Sequence, residues 1–132
     1  MTNYLAHKIS DHTWVVASNQ LVAPEDGLHE VVRIPPRCLV KNIWLDKKVA
    51  FGNPTSTAQI GFIGNGETAD PNAFFTVTLN TNVMESSLHS GTGVAAAGKY
   101  FDQGGLITIT TDKDNGTAGT LQVFVEYVQL TN

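Results

Sequence analysis

Asp112, Asp114 and Asn115 carry oxygen atoms at a spacing that could bind a cation. Carboxylates at alternate positions with a following glycine, here Gly116, are typical of calcium loops. An EF-hand loop also needs a third ligand two residues after the second carboxylate and a glutamate near its end. Glycine, threonine and alanine follow here instead. We therefore expect these side chains to cap the backbone of a turn rather than bind a metal.

The segment Gly64-Asn65-Gly66-Glu67 could be compared with a phosphate-binding loop because of its two glycines. Such a loop also needs a Lys-Ser/Thr pair and a following helix, and neither is predicted here. A β-turn is the better interpretation of this segment.

Residues that commonly ligate zinc or act as nucleophiles are scattered along the chain. The histidines do not follow zinc-ligand spacing; they are His7, His12, His29 and His89. Cys38 could be combined with a histidine and an aspartate, but any chain of this length offers such trios by chance. Because it follows Pro35-Pro36 at a strand start, we expect a buried thiol. The sequence predicts no catalytic residue, no metal site and no cofactor, and hence not an enzyme.

Apolar and polar residues alternate with a period of two along much of the chain, which predicts β-strands. No segment predicts an amphipathic helix, and residues 83–99 are expected to form a loop that leads into a short strand. The predicted strands are 14–17, 29–34, 39–49, 58–63, 74–79, 100–101, 106–111 and 120–130. The fold class is therefore all-β, a single-domain antiparallel β-sandwich or jelly roll of about seven to eight strands. Residues 1–27 form an N-terminal arm with one short strand, and residues 28–132 form the sandwich.

Two predicted strands have distinct faces because side chains alternate along a strand. Strand 58–63 turns Ala58, Ile60 and Phe62 inward. Strand 39–49 is expected to be long with a solvated edge or end, and one of its faces carries Leu39, Lys41, Ile43, Leu45, Lys47 and Val49.

The end of the chain predicts a β-hairpin, in which strands 106–111 and 120–130 flank a turn at 112–119. One face of the last strand is apolar, with Leu121, Val123, Val125 and Tyr127. Its other face is mixed, with Gln122, Phe124, Glu126, Val128 and Leu130. Because a monomeric sandwich normally leaves its outer face polar, we expect a partner to cover this one.

The N-terminal arm has apolar residues that admit two interpretations. They could lie across a neighbouring subunit, or they could pack on their own sandwich as a first strand. Together with the outer face of the last strand they make up the candidate protein-interface residues: Tyr4, Leu5, Ile9, Trp14, Phe124, Val128 and Leu130.

Composition limits the classes of partner. A chain of 132 residues is expected to form one domain. Its net charge is −4 and its basic residues are dispersed, which argues against nucleic-acid binding. Cys38 is the only cysteine, which excludes an intrachain disulfide and favours synthesis in a reducing compartment. We expect no export signal and no membrane association, because no apolar run has the required length.

Four segments resemble the small head decoration, or cement, proteins of tailed bacteriophages. They are the strand-turn-strand run at 32–40, Ala50-Phe51, the segment 58–74 and the ending 116–127. Arg37 occupies a position that is usually glycine in that pattern. The resemblance implies a jelly-roll-like β-sandwich without enzymatic activity that is made in the host cytoplasm. It also implies binding to the major capsid protein on the outer capsid surface of the virion, often as a homotrimer.

A tail-fibre or tail-tip domain that binds host glycans is the alternative function. Sugar rings stack on exposed aromatic side chains, and the candidates for that role are Trp14, Trp44, Tyr100 and Phe101.

Overall fold

The computed structural model describes residues 13–130, which form ten strands and one short helix. The elements are β1 (Thr13–Ala17), β2 (Leu21–Val22), β3 (Gly27–Ile34), β4 (Cys38–Val49), β5 (Thr57–Gly64), β6 (Asp70–Thr78), β7 (Glu85–Ser86), α1 (Ser87–Ser90), β8 (Lys99–Phe101), β9 (Gly105–Asp112) and β10 (Thr120–Gln129). The all-β prediction is confirmed. Of the predicted arm, the described part contributes β1 and β2, both of which pair with β10.

Two antiparallel sheets make up the sandwich. Sheet A has the order β1-β10-β4-β7, with β2 beside β10 and β8 beside β4, and sheet B has the order β3-β9-β5-β6. Early strands pair with late ones: β1 with β10, β3 with β9, β4 with β8, and β5 with β6. This nested pairing is the pattern of a jelly roll, in which one long antiparallel ribbon wraps around a core.

The predicted C-terminal hairpin is wrong, although both of its strands exist. β9 lies between β3 and β5 in sheet B, whereas β10 lies between β1 and β4 in sheet A. Residues 113–119 therefore cross from one sheet to the other instead of joining neighbours. Alternation identifies the face that each strand buries, but it carries no information about which strand lies alongside.

The core lies between the sheets and is built by the inward residues of every long strand. Ala58, Ile60 and Phe62 all point inward, as predicted. The ring of Phe62 contacts Phe74 edge-on at a centroid distance of 6.4 Å and Phe101 at 5.6 Å. These edge-to-face contacts join β5, β6 and β8 across the two sheets.

The predicted faces of β4 are wrong at both ends of the strand. A β-bulge skips Lys41, so that Val40 pairs with Tyr127 while Asn42 pairs with Glu126. The side chains of Val40 and Ile43 are consequently both in the core, and Leu39, which was predicted on the face of Ile43, is half-buried. A second register shift lies between Lys47 and Val49, and Val49 is exposed. A bulge shifts the alternation by one residue, and a strict period of two cannot show it.

Lys41 and Lys47, which were predicted on one face of β4, differ in burial. Lys41 is exposed, whereas Lys47 is only 2% exposed. The ammonium of Lys47 donates to the Thr78 carbonyl oxygen at 3.2 Å and to Thr81 Oγ1 at 2.8 Å. These partners offset part of the desolvation cost of a buried amine, which the sequence had placed at a solvated edge or end.

The Asn42 side chain, next to the bulge, forms hydrogen bonds with the first two residues of α1. Asn42 Oδ1 accepts hydrogen bonds from Ser87 Oγ at 3.0 Å and from the Leu88 N–H at 3.1 Å. α1 begins at this point, with Ser86 Oγ accepting from the His89 N–H at 3.2 Å. The expected loop at 83–99 therefore contains one helical turn, which a buried polar contact holds in place.

Two predicted turns differ in detail. The loop after β5 is shorter than predicted, because β6 already begins at Asp70. Arg37 has a φ of 61°, the left-handed conformation that favours the glycine usual at this position. Its N–H donates to the Phe101 carbonyl oxygen at 2.7 Å, so the turn is kept despite the side chain.

Candidate protein-interaction surface

β10 has the two faces that its alternation predicts. Leu121, Val123 and Val125 are fully buried against sheet B. Phe124 and Val128 point to the outer side of sheet A and are half-buried within the single chain. Two apolar side chains on the outer side of a central strand make this face the candidate interaction surface.

An apolar cleft lies on the outer face of sheet A. Phe124 is paired with Trp44 on one side and with Ala17 on the other, and directly paired residues point to the same side of a sheet. Val15, Trp44, Met84 and Phe124 line a cavity of about 220 Å³, and we call these four residues the apolar cleft. Val15 and Met84 are 60% and 51% exposed, so the cleft is open to solvent.

A second group of outward apolar residues lies on three neighbouring strands of sheet A and includes Val128. Val128 pairs with Leu39, and Leu39 pairs with Tyr100 at the opposite side of β4. We call Val128, Leu39 and Tyr100 the apolar row. Glu126 lies on β10 between the row and the cleft, and it has no ion pair within residues 13–130.

The outer face of sheet B has no comparable surface. Each line of paired outward residues across that sheet includes a polar side chain, namely Arg33 beside Leu106, Glu30 beside Thr108, and Gln59 beside Thr110. The hydroxyls of Thr108 and Thr110 are buried without a hydrogen-bond partner. Apolar surface is therefore concentrated on sheet A.

The structure brings only some of the predicted interface residues together. Phe124 and Val128 share the outer face of sheet A. Trp14 pairs with Tyr127, which places it on the core-facing side at the edge of the sheet, where it is 48% exposed. Leu130 follows the strand, and its N–H donates to the Arg37 carbonyl oxygen at 2.8 Å. Tyr4, Leu5 and Ile9 lie outside the described residues.

Three residues of the apolar cleft, and Leu39 and Tyr100 of the apolar row, were missed as interface residues. Val15 follows Trp14 in a strand that was correctly predicted, but it was not named as an interface residue. Trp44 was considered only as an aromatic side chain that could stack on sugar rings. Met84 lies in the stretch without a clear pattern. The pairing of β1 and β4 with β10 brings these residues together, and no local sequence signal encodes that pairing.

The four aromatic candidates for glycan binding do not form one platform. Phe101 is completely buried in the core, and Trp44 lines the apolar cleft. Trp14 and Tyr100 are on strands at opposite sides of sheet A, separated by β10 and β4. Nothing in the geometry favours the tail-fibre alternative.

Carboxylates in the 112–119 connection hold backbone rather than a ligand. Asp112 Oδ1 accepts from the Asp114 N–H at 2.8 Å, and the Thr55 hydroxyl donates to the Asp114 carboxylate. Asp26 Oδ1 accepts from the Lys113 N–H at 2.8 Å. Across the described part of the chain, no group of three or more His, Cys, Asp or Glu side chains could hold a metal ion.

The other candidate residues for chemistry have structural contacts. Asn65 in the glycine-rich turn donates through Nδ2 to the Gln103 carbonyl oxygen at 2.9 Å. The ring of His29 shares a hydrogen bond of 2.8 Å with the Glu25 carbonyl oxygen. His7 and His12 are outside the described residues. The one helix within residues 13–130, α1, is not long and apolar enough to cross a bilayer.

Cys38 is fully buried at the start of β4, with its Sγ 3.6 Å from the Pro36 carbonyl oxygen. Burial raises the pKa of its thiol. The pKa of Tyr127 is also raised, mainly by burial and to a smaller extent by the nearby charge of Cys38. The buried-thiol prediction is confirmed. A buried, protonated thiol is a poor nucleophile.

We expect a thiol reagent such as Ellman's reagent to label native Cys38 at least about 100-fold more slowly than the chain unfolded in guanidinium, because labelling requires opening of the fold. The absorbance of the released thiolate measures both rates. Equal rates in the two states would contradict the burial of this side chain.

The fold is similar to that of chains in solved bacteriophage capsids. A chain of the Ralstonia phage GP4 capsid has 17% identity and a TM-score of 0.66, covering 99% of this chain and 93% of that one. A chain of the cyanophage Pam1 capsid asymmetric unit has 14% identity and a TM-score of 0.63, covering 98% and 93%. A chain of the acid-stable capsid of Helicobacter pylori bacteriophage KHP30 has 16% identity and a TM-score of 0.62, covering 92% and 89%.

These comparisons concern the fold, because the identities are low. No family model and no curated protein sequence matches the chain. High coverage in both directions indicates that each matched capsid chain is, like this one, essentially a single β-sandwich of similar length.

Proposed function

We propose that this protein is a non-enzymatic structural component of a bacteriophage virion, and specifically a decoration protein that binds the outer surface of the phage head and stabilises it. The observation that carries the proposal is the outer face of sheet A, where the apolar cleft and the apolar row lie side by side. The shared fold with chains of three phage capsids supports a place in the virion.

The partner in this proposal is the major capsid protein, and the apolar row is the part of the surface that meets it. Tyr100 and Val128 offer apolar area together with one polar hydroxyl, and aromatic side chains are enriched in protein interfaces. Charged residues make up only 15% of the chain, so contact with another protein desolvates few ions.

Stabilisation of a head would arise from many modest contacts. A decoration protein that spans neighbouring capsid subunits must dissociate before those subunits can separate, and a trimer multiplies this effect through effective concentration. Synthesis in the host cytoplasm followed by binding to assembled heads suits a chain whose single cysteine is buried.

Mixing the purified protein with heads that lack it tests the proposal. We expect co-sedimentation with the heads and a saturable rise in their melting temperature, because a ligand that binds only the assembled state stabilises that state. Heads that neither bind the protein nor melt at a higher temperature would exclude the decoration role.

A further inference from the structure

Val94 is an apolar knob on a segment that is otherwise small and uncharged. Its side chain is 91% exposed, more than any other large hydrophobic residue of the described chain. The other residues of the segment 91–98 are glycine, alanine and threonine. Leu88, just before this segment, is less exposed, at 57%. An almost fully exposed valine in an uncharged segment is suited to insertion into an apolar site.

Backbone contacts hold this knob in place. The Gly93 N–H donates to the Phe74 carbonyl oxygen at 3.3 Å, and the Ala95 N–H donates to the Ala73 carbonyl oxygen at 2.7 Å. Ala95 itself is buried in the core. A Cβ on Gly93 would lie 2.2 Å from the Ala73 carbonyl oxygen, so glycine lets the segment pack directly on β6. Val94 is thus presented at little cost in conformational entropy.

The apolar cleft is the complementary hole. Its volume of about 220 Å³ is ample for a valine side chain, and its lining contains no ionised group. The cleft is on the outer face of sheet A, whereas the Val94 segment is bonded to β6 at the edge of sheet B. The exposure of Val94 shows that it does not fill the cleft of its own chain.

We propose that Val94 of one copy inserts into the apolar cleft of a second copy, and that this contact builds the homo-oligomer. The inference deepens the homotrimer of the proposed function and rests on it. Knob and hole are different surfaces, so the contact is heterologous, and repetition around an axis closes a ring. Phe124 then contacts a neighbouring copy, which leaves the apolar row for the capsid.

Light scattering and sedimentation equilibrium of the purified protein test the contact. We expect the wild type to form a closed oligomer and Val94→Glu to associate at least tenfold more weakly, because insertion would bury a charge. Val94→Glu should stay folded, since the wild-type side chain is almost fully exposed. The matched control is Leu28→Glu, at a leucine that is 48% exposed on the outer face of sheet B, and it should associate like the wild type.

A charge-pair rescue makes the test specific. Met84→Lys places a cation at the cleft, so the double variant Val94→Glu/Met84→Lys should regain association that each single variant loses. A monomeric wild type, a Val94→Glu protein that associates as tightly as Leu28→Glu, or a double variant without rescue would overturn the inference. Head binding is measured separately: a wild-type oligomer that requires Val94 but binds no heads would refute only the decoration role.

Discussion

Val128→Glu is expected to weaken binding to phage heads at least about 30-fold, which corresponds to about 2 kcal/mol for each interface. Val128 is the end of the apolar row on the central strand β10, between Thr13 and Leu39. A glutamate there would remain solvated in the free protein, where this position is half-buried, but it would lose water in the bound state. Several such sites in one oligomer would compound the loss.

The matched control for this variant is Thr76→Glu, which places the same charge on an exposed strand position of sheet B. Co-sedimentation over a range of protein concentrations measures both affinities, and thermal unfolding establishes that both variants are folded. If Thr76→Glu weakened binding as much as Val128→Glu, net charge rather than the face of sheet A would control the interaction.

Phe101→Ala is expected to destabilise the fold by about 3–5 kcal/mol, the usual cost of removing a buried phenylalanine. The Phe101 side chain is fully buried, and its ring meets Phe62 edge-on at 5.6 Å. Lys99 Nζ lies 5.3 Å from the centre of the same ring and forms an ion pair with Glu67 at 2.5 Å. Truncation would leave a cavity beneath β8 and remove both ring contacts.

The neighbouring residue is the control for Phe101. Tyr100 is on the same short strand but points outward and is 40% exposed. Tyr100→Ala should therefore cost about 1 kcal/mol or less in urea unfolding. Comparable losses for the two variants would mean that β8 does not close the core as described.

The alternation of β5 and β10 was enough to predict which side chains enter the core, because each strand runs straight through a sheet with one face buried. The same argument failed for β4, where the bulge at Lys41 reverses the faces within one strand. Alternation placed Lys47 on the face of Ile43 and Leu45, where it lies, but the solvated edge or end expected there is wrong. The Lys47 ammonium instead reaches acceptors at the last residue of β6 and just after it. These features depend on tertiary contacts and have no periodic signature.

Strand pairing explains what was predicted of the surface and what was missed. Phe124 and Val128 were identified by alternation within β10. Val15 and Met84 join Phe124 only because β1 and the segment before β7 lie beside the central strands of sheet A. The assumed hairpin of β9 with β10 would have placed different neighbours there.

Hydroxyl-radical footprinting of the virion-bound and the free protein tests most directly whether the outer face of sheet A is the interaction surface. Tyr100 and Leu39 of the apolar row report on that face, and Leu28, which is 48% exposed on the outer face of sheet B, is the internal control. We predict that oxidation of Tyr100 and Leu39 falls several-fold in the particle while oxidation of Leu28 does not change. Oxidation of Tyr100 and Leu39 at the same rate in both states, or protection of Leu28 alone, would contradict the account.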